Sequence, residues 1–299
     1  MIEQKTTRWG QGRRLEFIEF RLLWERRVNR GELVDFFGIS IQQASLDIAQ
    51  YIQLAPQNLV YDRSEKTYKA TSTFLPVVTS DDAKTWLDQL QSQEVGSIPK
   101  SMSFMGWTPP TEVVEFPARQ VSSNTLRRIL WAIQDCMEIQ VRYQSMSRPE
   151  SVVRWIRPHA LASDGGRWHV RAWCSENAEF RDFVISRIET VFDSRASNVD
   201  SQRDVNWMTE IEVILKPQHG LTKSQHDAVL RDFGMKNGEC RIKKRAALLF
   251  YLFRQLQIDL DVSPISRIQP IEVANADALR VYVLPAASLQ PAKKGNKNA

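Results

Sequence analysis

The sequence predicts an α+β protein of several domains, and three segments with different residue patterns lead to that prediction. Residues 1–75 read as helices followed by a hairpin, residues 119–200 contain five short strands, and residues 201–290 mix strands with helices. The chain has 299 residues, of which 42% are hydrophobic and 25% charged. These proportions are typical of a soluble globular protein with two or three domains.

Residues 1–75 have the order of a winged helix-turn-helix domain. RRLEFIEFRLLWERR has one apolar face, and GELVDFF forms a short second helix that ends at Gly38. Ser40 and Gln43 have capping-box spacing, so a third helix begins there, with Ile41 and Ala44 on its apolar side. Two short strands, 58–61 and 67–70, follow as a hairpin. An all-helical packing unit without DNA contacts is the alternative.

In a winged helix-turn-helix the third helix enters the major groove and the hairpin lies beside it. Gln42 and Gln43 have amides suited to adenine N6 and N7, and Leu46 is placed to meet a thymine methyl group. Gln43 is alternatively consumed by the capping box. The residues predicted to contact DNA are Ser40, Gln42, Gln43, Ser45, Leu46, Arg63 and Lys66.

Charge and cysteine content define the expected class and compartment. The net charge is +5 and the sequence pI about 9.1, and residues 1–30 hold eight basic and four acidic side chains. This mild basic excess favours a polyanionic partner. Three scattered cysteines without metal spacing, no long apolar run and no signal peptide predict a cytoplasmic protein without disulfides or a membrane partner.

A connector, residues 76–118, leads into the strand-rich segment 119–200. The connector is predicted to hold one helix near 81–91 and then loop; another helix follows at 123–136. The strands lie at 139–144, 152–161, 167–174, 180–186 and 189–194, with Asp164-Gly-Gly166 as a tight turn. Five short strands at close spacing indicate a small barrel or a strongly bent sheet.

Arginine is the conspicuous residue of this middle segment. From Arg119 to Arg195 there are 12 arginines and no lysine. Because a guanidinium grips phosphate or carboxylate with two parallel hydrogen bonds, the segment is suited to recognise an anion at one hollow. The alternative is surface charge paired with the segment's nine acidic residues.

Residues 201–290 predict a small α+β domain. EIEVILKP reads as a strand, SQHDAVLRDFG and RAALLFYLFRQLQ as helices, and ALRVYVLP as a final strand, in an order interpreted as β-α-β-α-β. The polar, basic tail at 291–299 is expected to be disordered.

Motifs in the middle segment resemble a known family. Tyr143, Arg157-Pro158, Trp168-His169-Val170 and Phe180-Arg181-Asp182-Phe183 look like a WYL domain, although the Trp-Tyr-Leu triplet of that family is replaced here. The longer string resembles phage-defence regulators of the BrxR and CapW type over about residues 10–285. That resemblance implies a winged helix-turn-helix, an Sm/SH3-like WYL β-barrel and a C-terminal WCX domain, in a dimeric regulator that is usually a repressor.

The resemblance also implies a surface in the WYL domain that senses a nucleotide or nucleic-acid ligand. Arginines would clamp phosphate, while Trp and His would stack on a base. The residues carried over are Tyr143, Ser145, His159, Arg167, Trp168, His169, Arg181 and Arg187. Structural alternatives stay open: Trp168 in the barrel core, Arg187 paired with Glu189 or Asp182, and His159 bonded to a backbone carbonyl.

No catalytic constellation is evident, and no cofactor is expected. His219 and His226 lack a cysteine at zinc-like spacing, and no Walker-type glycine loop occurs. The sequence therefore predicts a non-enzymatic, ligand-responsive regulator that binds a pseudo-palindromic duplex operator as a homodimer. The rival hypothesis is an accessory protein of a defence system that binds RNA or single-stranded DNA without regulating transcription.

Overall fold

The computed structural model describes residues 7–115, 117–258, 260 and 269–283, with side chains from residue 10 onward. The chain divides into two compact units, residues 1–116 and 117–299. Each unit is described below by itself.

The first unit begins with the predicted winged helix-turn-helix. Its elements are α1 (Thr7–Glu25), β1 (Arg27–Val28), α2 (Arg30–Phe37), α3 (Ile41–Leu54), β2 (Leu59–Asp62) and β3 (Thr67–Ala70). The strands form an antiparallel sheet in the order β1-β3-β2. A core that includes Phe17, Ile18, Leu33, Ile48 and Tyr51 joins the three helices. The prediction of three helices and a hairpin is confirmed.

The connector, up to residue 116, is part of the first unit and packs on α1 through polar contacts. It contains α4 (Ala83–Glu94), which confirms the predicted connector helix, and a 3-10 turn at Lys100–Met102. Arg21 is ion-paired with Glu25 and with Glu32, and the Gly106 amide donates to Glu25 at 2.6 Å. A Cβ at Gly106 would lie 1.3 Å from Arg21 Nη1, so a larger residue at this position would displace the Arg21 guanidinium from its ion pairs.

The second unit begins with α5 (Ser123–Gln134), which packs on a five-stranded antiparallel sheet. The strands are β4 (Met137–Tyr143), β5 (Val152–Ser163), β6 (Trp168–Cys174), β7 (Glu179–Val184) and β8 (Ile188–Ala196), in the order β7-β6-β5-β4-β8. Register shifts in β4 and β5 bend the sheet around a core that includes Ile156, Val170 and Phe183. The predicted small, strongly bent β-domain is thereby confirmed.

The C-terminal part of this unit has its own core. Its elements are α6 (Val205–Met208), β9 (Glu210–Pro217), α7 (Lys223–Asp232), β10 (Cys240–Arg245), α8 (Leu249–Leu256), β11 (Ile271–Val273) and α9 (Ala276–Leu279). The sheet order is β10-β9-β11. The succession β9-α7-β10-α8-β11 has the predicted β-α-β-α-β order, but β10 and β11 lie where the sequence predicted no strand.

The final predicted strand, 278–285, is wrong where the structure describes it. Residues 276–279 are helical and 280–282 form a 3-10 turn. Just before them, the Asn275 amide bonds to both Ile214 N and Glu212 O, which ends β11 and turns the chain away from β9. Residues 284–285 and the predicted disordered tail, 291–299, lie outside the described residues. No helix in the described ranges is long and apolar enough to cross a membrane.

Candidate nucleic-acid interface and effector site

The turn between α2 and α3 is set by caps at both of its ends. Gly38 ends α2 in the left-handed region at φ 64°, and Ser40 Oγ accepts from Gln43 N at 3.1 Å to begin α3. The predicted N-cap is confirmed, but the reciprocal half of a capping box at Ser40 is not formed. A complete capping box instead joins Asn29 and Glu32 at the start of α2.

The side chains predicted to contact DNA differ in their exposure and in the hydrogen bonds that they already make within the protein. Gln42 and Leu46 are exposed on α3, Leu46 to 65%. Gln43 is half-buried, and its Nε2 donates to Asp47 Oδ1 at 3.0 Å. Ser45 Oγ donates to Ile41 O at 2.9 Å and accepts from Arg30. Ile41, which the sequence reading placed on the apolar side, is 61% exposed because it is the first residue of the helix.

A buried ion pair fixes α3 on α1, and the sequence reading missed it. Asp47 is fully buried and accepts from Arg14 Nε at 2.6 Å and from Arg14 Nη2 at 3.1 Å. The available signal was an acid between the apolar positions Ala44 and Ile48. A buried carboxylate must have a partner, and Arg14 lies on the facing helix.

The hairpin tip carries two cations without partners among the described residues. Asp62 accepts from the Ser64 and Glu65 amides and pairs with Lys69 at 2.9 Å. Hydrogen bonds from Ser64 and Lys69 hold the pKa of the Asp62 carboxyl well below its ordinary value. Arg63 and Lys66 are exposed beside this closed turn, where they are free to contact phosphate.

In the second unit, one polar network covers the outer face of β5, β6 and β7. Asp204 accepts from Arg171 Nε at 2.7 Å and Nη2 at 3.0 Å, and its Oδ2 lies 3.0 Å from His159 Nε2. Arg171 also reaches Asp182 at 3.3 Å, and Tyr251 of α8 donates to Asp182 at 3.0 Å. These contacts join the sheet to α6 and α8.

The pKa values of this network follow from burial opposed by charge. Burial would raise the pKa of Asp204, but the hydrogen bonds from His159 and Arg171 bring it well below the ordinary value. Burial raises the pKa of Tyr251, and the nearby Asp182 adds to that effect. Asp204 and Arg171 are therefore a charged pair at neutral pH.

A second part of the network is centred on the predicted turn at Asp164. Its carboxylate accepts from the Gly166 and Arg167 amides, from Arg167 Nε at 2.8 Å, and lies 3.3 Å from His169 Nε2. Burial alone would raise the pKa of Asp164, but these donors lower it to about 2. Burial lowers the pKa of His169, whose ring lies 4.8 Å from that of Tyr251.

Four of the remaining predicted ligand residues, Tyr143, Ser145, Trp168 and Arg187, lie at the end of the sheet where β6 begins, whereas Arg181 lies opposite Ala172 in the middle of β6. Gln144 N donates to Arg187 O at 3.1 Å, which places Tyr143 and Ser145 beside the 3-10 turn Ile185–Arg187. His169 pairs with Val184 in the ladder, so Trp168 starts β6 next to that turn.

Exposure and pairing differ among these residues. Trp168 is 57% exposed, so its alternative as a core residue is wrong. Among the described residues, no hydrogen bond or ion pair engages the Arg187 side chain, and its alternative pairing with Glu189 or Asp182 is not formed. Arg181 pairs with Glu179.

Arg154 is a further residue that sequence reasoning missed. It is only 7% exposed, and its guanidinium lies 5.9 Å and 5.8 Å from the ring centroids of Tyr143 and Phe183. Its Nε has no hydrogen-bond partner, and no carboxylate of the described residues pairs with it. The alternation of side chains along β5 could have indicated that Arg154 is buried, because Arg154 shares a face of the strand with the apolar Ile156.

Models of known protein families match the same three segments of the chain. Residues 10–92 match the family model of the BrxR transcriptional regulator winged helix-turn-helix domain, residues 124–192 the WYL domain, and residues 210–279 the BrxR C-terminal dimerization domain.

Three relatives carry the name DNA-binding transcriptional repressor CapW. That of Stenotrophomonas maltophilia is 42% identical over 280 residues, covering 92% of this chain and 93% of the relative. That of Escherichia coli strain KTE188 is 41% identical over 251 residues, 84% of each chain, and that of Pseudomonas aeruginosa 42% over 254 residues, 85% of each.

Proposed function

The chain belongs to the CapW family of DNA-binding transcriptional repressors, and from that premise we propose that it represses transcription as a homodimer bound to a duplex operator. The observation that carries the proposal is the exposed face of α3, held on α1 by the buried Arg14–Asp47 pair and flanked by the unpaired Arg63 and Lys66 of the described hairpin. The C-terminal match to a dimerization domain supports two copies, which place two reading helices on two symmetric half-sites.

We expect duplex binding to weaken when the two wing cations are removed. Each cation that contacts phosphate contributes about one unit to the dependence of log affinity on log salt. Because the homodimer has two wings, Arg63→Ala with Lys66→Ala removes four such cations and should therefore reduce that slope by about four and weaken binding at least several-fold. Gel shifts at several salt concentrations on the chain's own promoter measure both quantities.

Lys84→Ala is the matched control, because Lys84 is an exposed cation already paired with Asp88 on α4. It should leave the slope unchanged. Equal or greater affinity for the corresponding single strand would instead favour the accessory-protein hypothesis and contradict operator recognition.

The WYL domain is proposed to bind a phosphate-bearing nucleotide or oligonucleotide effector at the end of the sheet where β6 begins. The support is the exposed indole of Trp168, the guanidinium of Arg187, unpaired among the described residues, and the hydroxyl of Ser145, with Tyr143 and Arg154 beneath. Arg167, His159 and His169 are engaged in the polar network and serve in this proposal to connect the site to α6 and α8. An effector releases DNA only if it prefers the conformation that does not bind the operator.

A short 5′-phosphorylated single-stranded oligonucleotide should lower operator affinity of the wild type. Trp168→Ala and Arg187→Ala should each reduce this effect by about tenfold in oligonucleotide concentration, since base stacking and one charged hydrogen bond each contribute about 1–3 kcal/mol. Arg241→Ala is the control, because it removes an exposed arginine that is paired with Glu212 on β9 and lies outside the predicted ligand residues. Unchanged oligonucleotide sensitivity in both variants would contradict the placement of the site.

A further inference from the structure

The reading helix α3 carries no cation. Its sequence IQQASLDIAQYIQL contains no Lys, Arg or His, and its one charged residue, Asp47, is fully buried against Arg14. The surface that α3 offers to a base pair is therefore electrically neutral. Exposed positive charge of this unit lies instead on Arg26, Arg27 and Arg30, of which Arg30 donates to Ser45 of α3, and on the two wing cations.

The outward face of α3 is a single line of residues. Gln42, Leu46, Ala49 and Gln53 follow one another at spacings of four, three and four, and all four are exposed. Such spacing keeps them on one side of the helix, opposite the buried Ala44, Ile48 and Tyr51. The line thus has a primary amide at each end and two aliphatic side chains between them.

Two polar neighbours of this line are already committed to contacts within the protein. The Gln43 amide donates to Asp47, which turns an N–H of that amide inward. The Ser45 hydroxyl donates to Ile41 O within the helix. Among the described residues no hydrogen bond engages the amide of Gln42, so Gln42 is the first residue of α3 free to present both a donor and an acceptor.

This composition restricts which base pairs α3 recognises. Guanine is read in the major groove most often by Arg or Lys on its O6 and N7 atoms, and α3 has neither. An amide pairs with adenine N6 and N7, and an aliphatic side chain packs on the 5-methyl group of thymine. Resting on the proposed function, we propose that α3 reads A·T base pairs, with Gln42 on an adenine and Leu46 on a thymine methyl group.

Contacts with the DNA phosphates have a different role from those of α3. The exposed arginines and the wing cations supply the charge that holds the duplex, and such contacts carry no direct sequence information. Leu46 is 65% exposed in the free protein. Packing against a thymine methyl group would remove its apolar surface from water, which contributes favourable binding free energy.

The test replaces thymine by uracil. A duplex selected by the wild-type protein from a random pool is synthesised with dU for dT in its half-sites, which removes only the methyl groups. Wild-type affinity should fall about fourfold per contacted methyl group. Leu46→Ala should bind the dT and dU duplexes alike, whereas Arg63→Ala should weaken both and keep their ratio.

The outcomes separate the two proposals. Tight binding of the selected duplex with no loss on dU substitution overturns the A·T inference and leaves the repressor function in place. Undiminished dU sensitivity in Leu46→Ala overturns the assignment of that residue. Failure to select any duplex overturns both proposals. Circular dichroism confirms that the exposed substitution leaves the fold intact.

Discussion

Glu19→Gln should lower the free energy of unfolding of the first unit by about 3 kcal/mol, although the two side chains have the same shape. Glu19 is fully buried on α1 without a cationic partner among the described residues. Its Oε1 accepts from Tyr51 Oη at 2.8 Å and Val77 N at 2.8 Å, and its Oε2 accepts from Val78 N at 2.6 Å and from Thr79 Oγ1 at 3.1 Å. Both oxygens therefore face only donors.

An amide cannot replace that carboxylate in either orientation. Whichever way the substituted side chain turned, its NH2 group would point at N–H or O–H donors, leaving buried donors without acceptors. Chemical denaturation measures the stability, and hydrogen exchange should show faster exchange at the amides of residues 77–79. Glu16→Gln, three residues earlier on the same helix and paired at the surface with Arg13, should change stability by less than about 0.5 kcal/mol. Stability equal to wild type in Glu19→Gln would contradict this account.

The first unit was predictable from sequence where local chemistry decides the structure. Ser40 and Gly38 mark the ends of helices through capping and left-handed backbone, which depend on few neighbours. Glu19 and Asp47 were not predictable as buried acids, because their partners lie 58 and 33 positions away along the chain in Val77 and Arg14. Contacts of that kind exist only once the fold has formed.

The strands of the second unit were predictable, whereas the roles of their polar residues were not. Alternation indicates that Trp168 and Val170 share a face, but it does not say that Trp168 lies at the open end of that face and His169 under α8. Arg171 similarly meets Asp204, 33 positions away, so a sequence rich in arginine does not reveal which guanidinium is already paired. The strand β10 was missed because charged residues dominate CRIKKR and only Cys240 and Ile242 face inward.

Asp204, unlike Glu19, is a buried acid with a cationic partner, Arg171. Asp204→Ala should lower the unfolding free energy of the second unit by about 3–5 kcal/mol. The change leaves Arg171 buried with only the 3.3 Å contact to Asp182, and it leaves His159 without its carboxylate. Adding Arg171→Met should restore part of the loss, since it removes the uncompensated charge. Asp200→Ala is the control, because Asp200 is exposed and accepts only from the Gln202 amide, so it should cost about 1 kcal/mol or less.

The same pair predicts how the second unit responds to acid. The pKa of Asp204 is lowered in the folded protein, so its contribution is complete above the ordinary carboxyl pKa, near 4, and is lost as the pH falls below that value. Stability of the wild type should therefore decrease from about pH 4 downward, and the decrease should be shallower in Asp204→Ala. A residual slope should remain in that variant, because Asp164, with a pKa of about 2, still loses its bonds to Arg167 and His169. Identical acid profiles for the two proteins would show that the charge on Asp204 does not stabilise the fold.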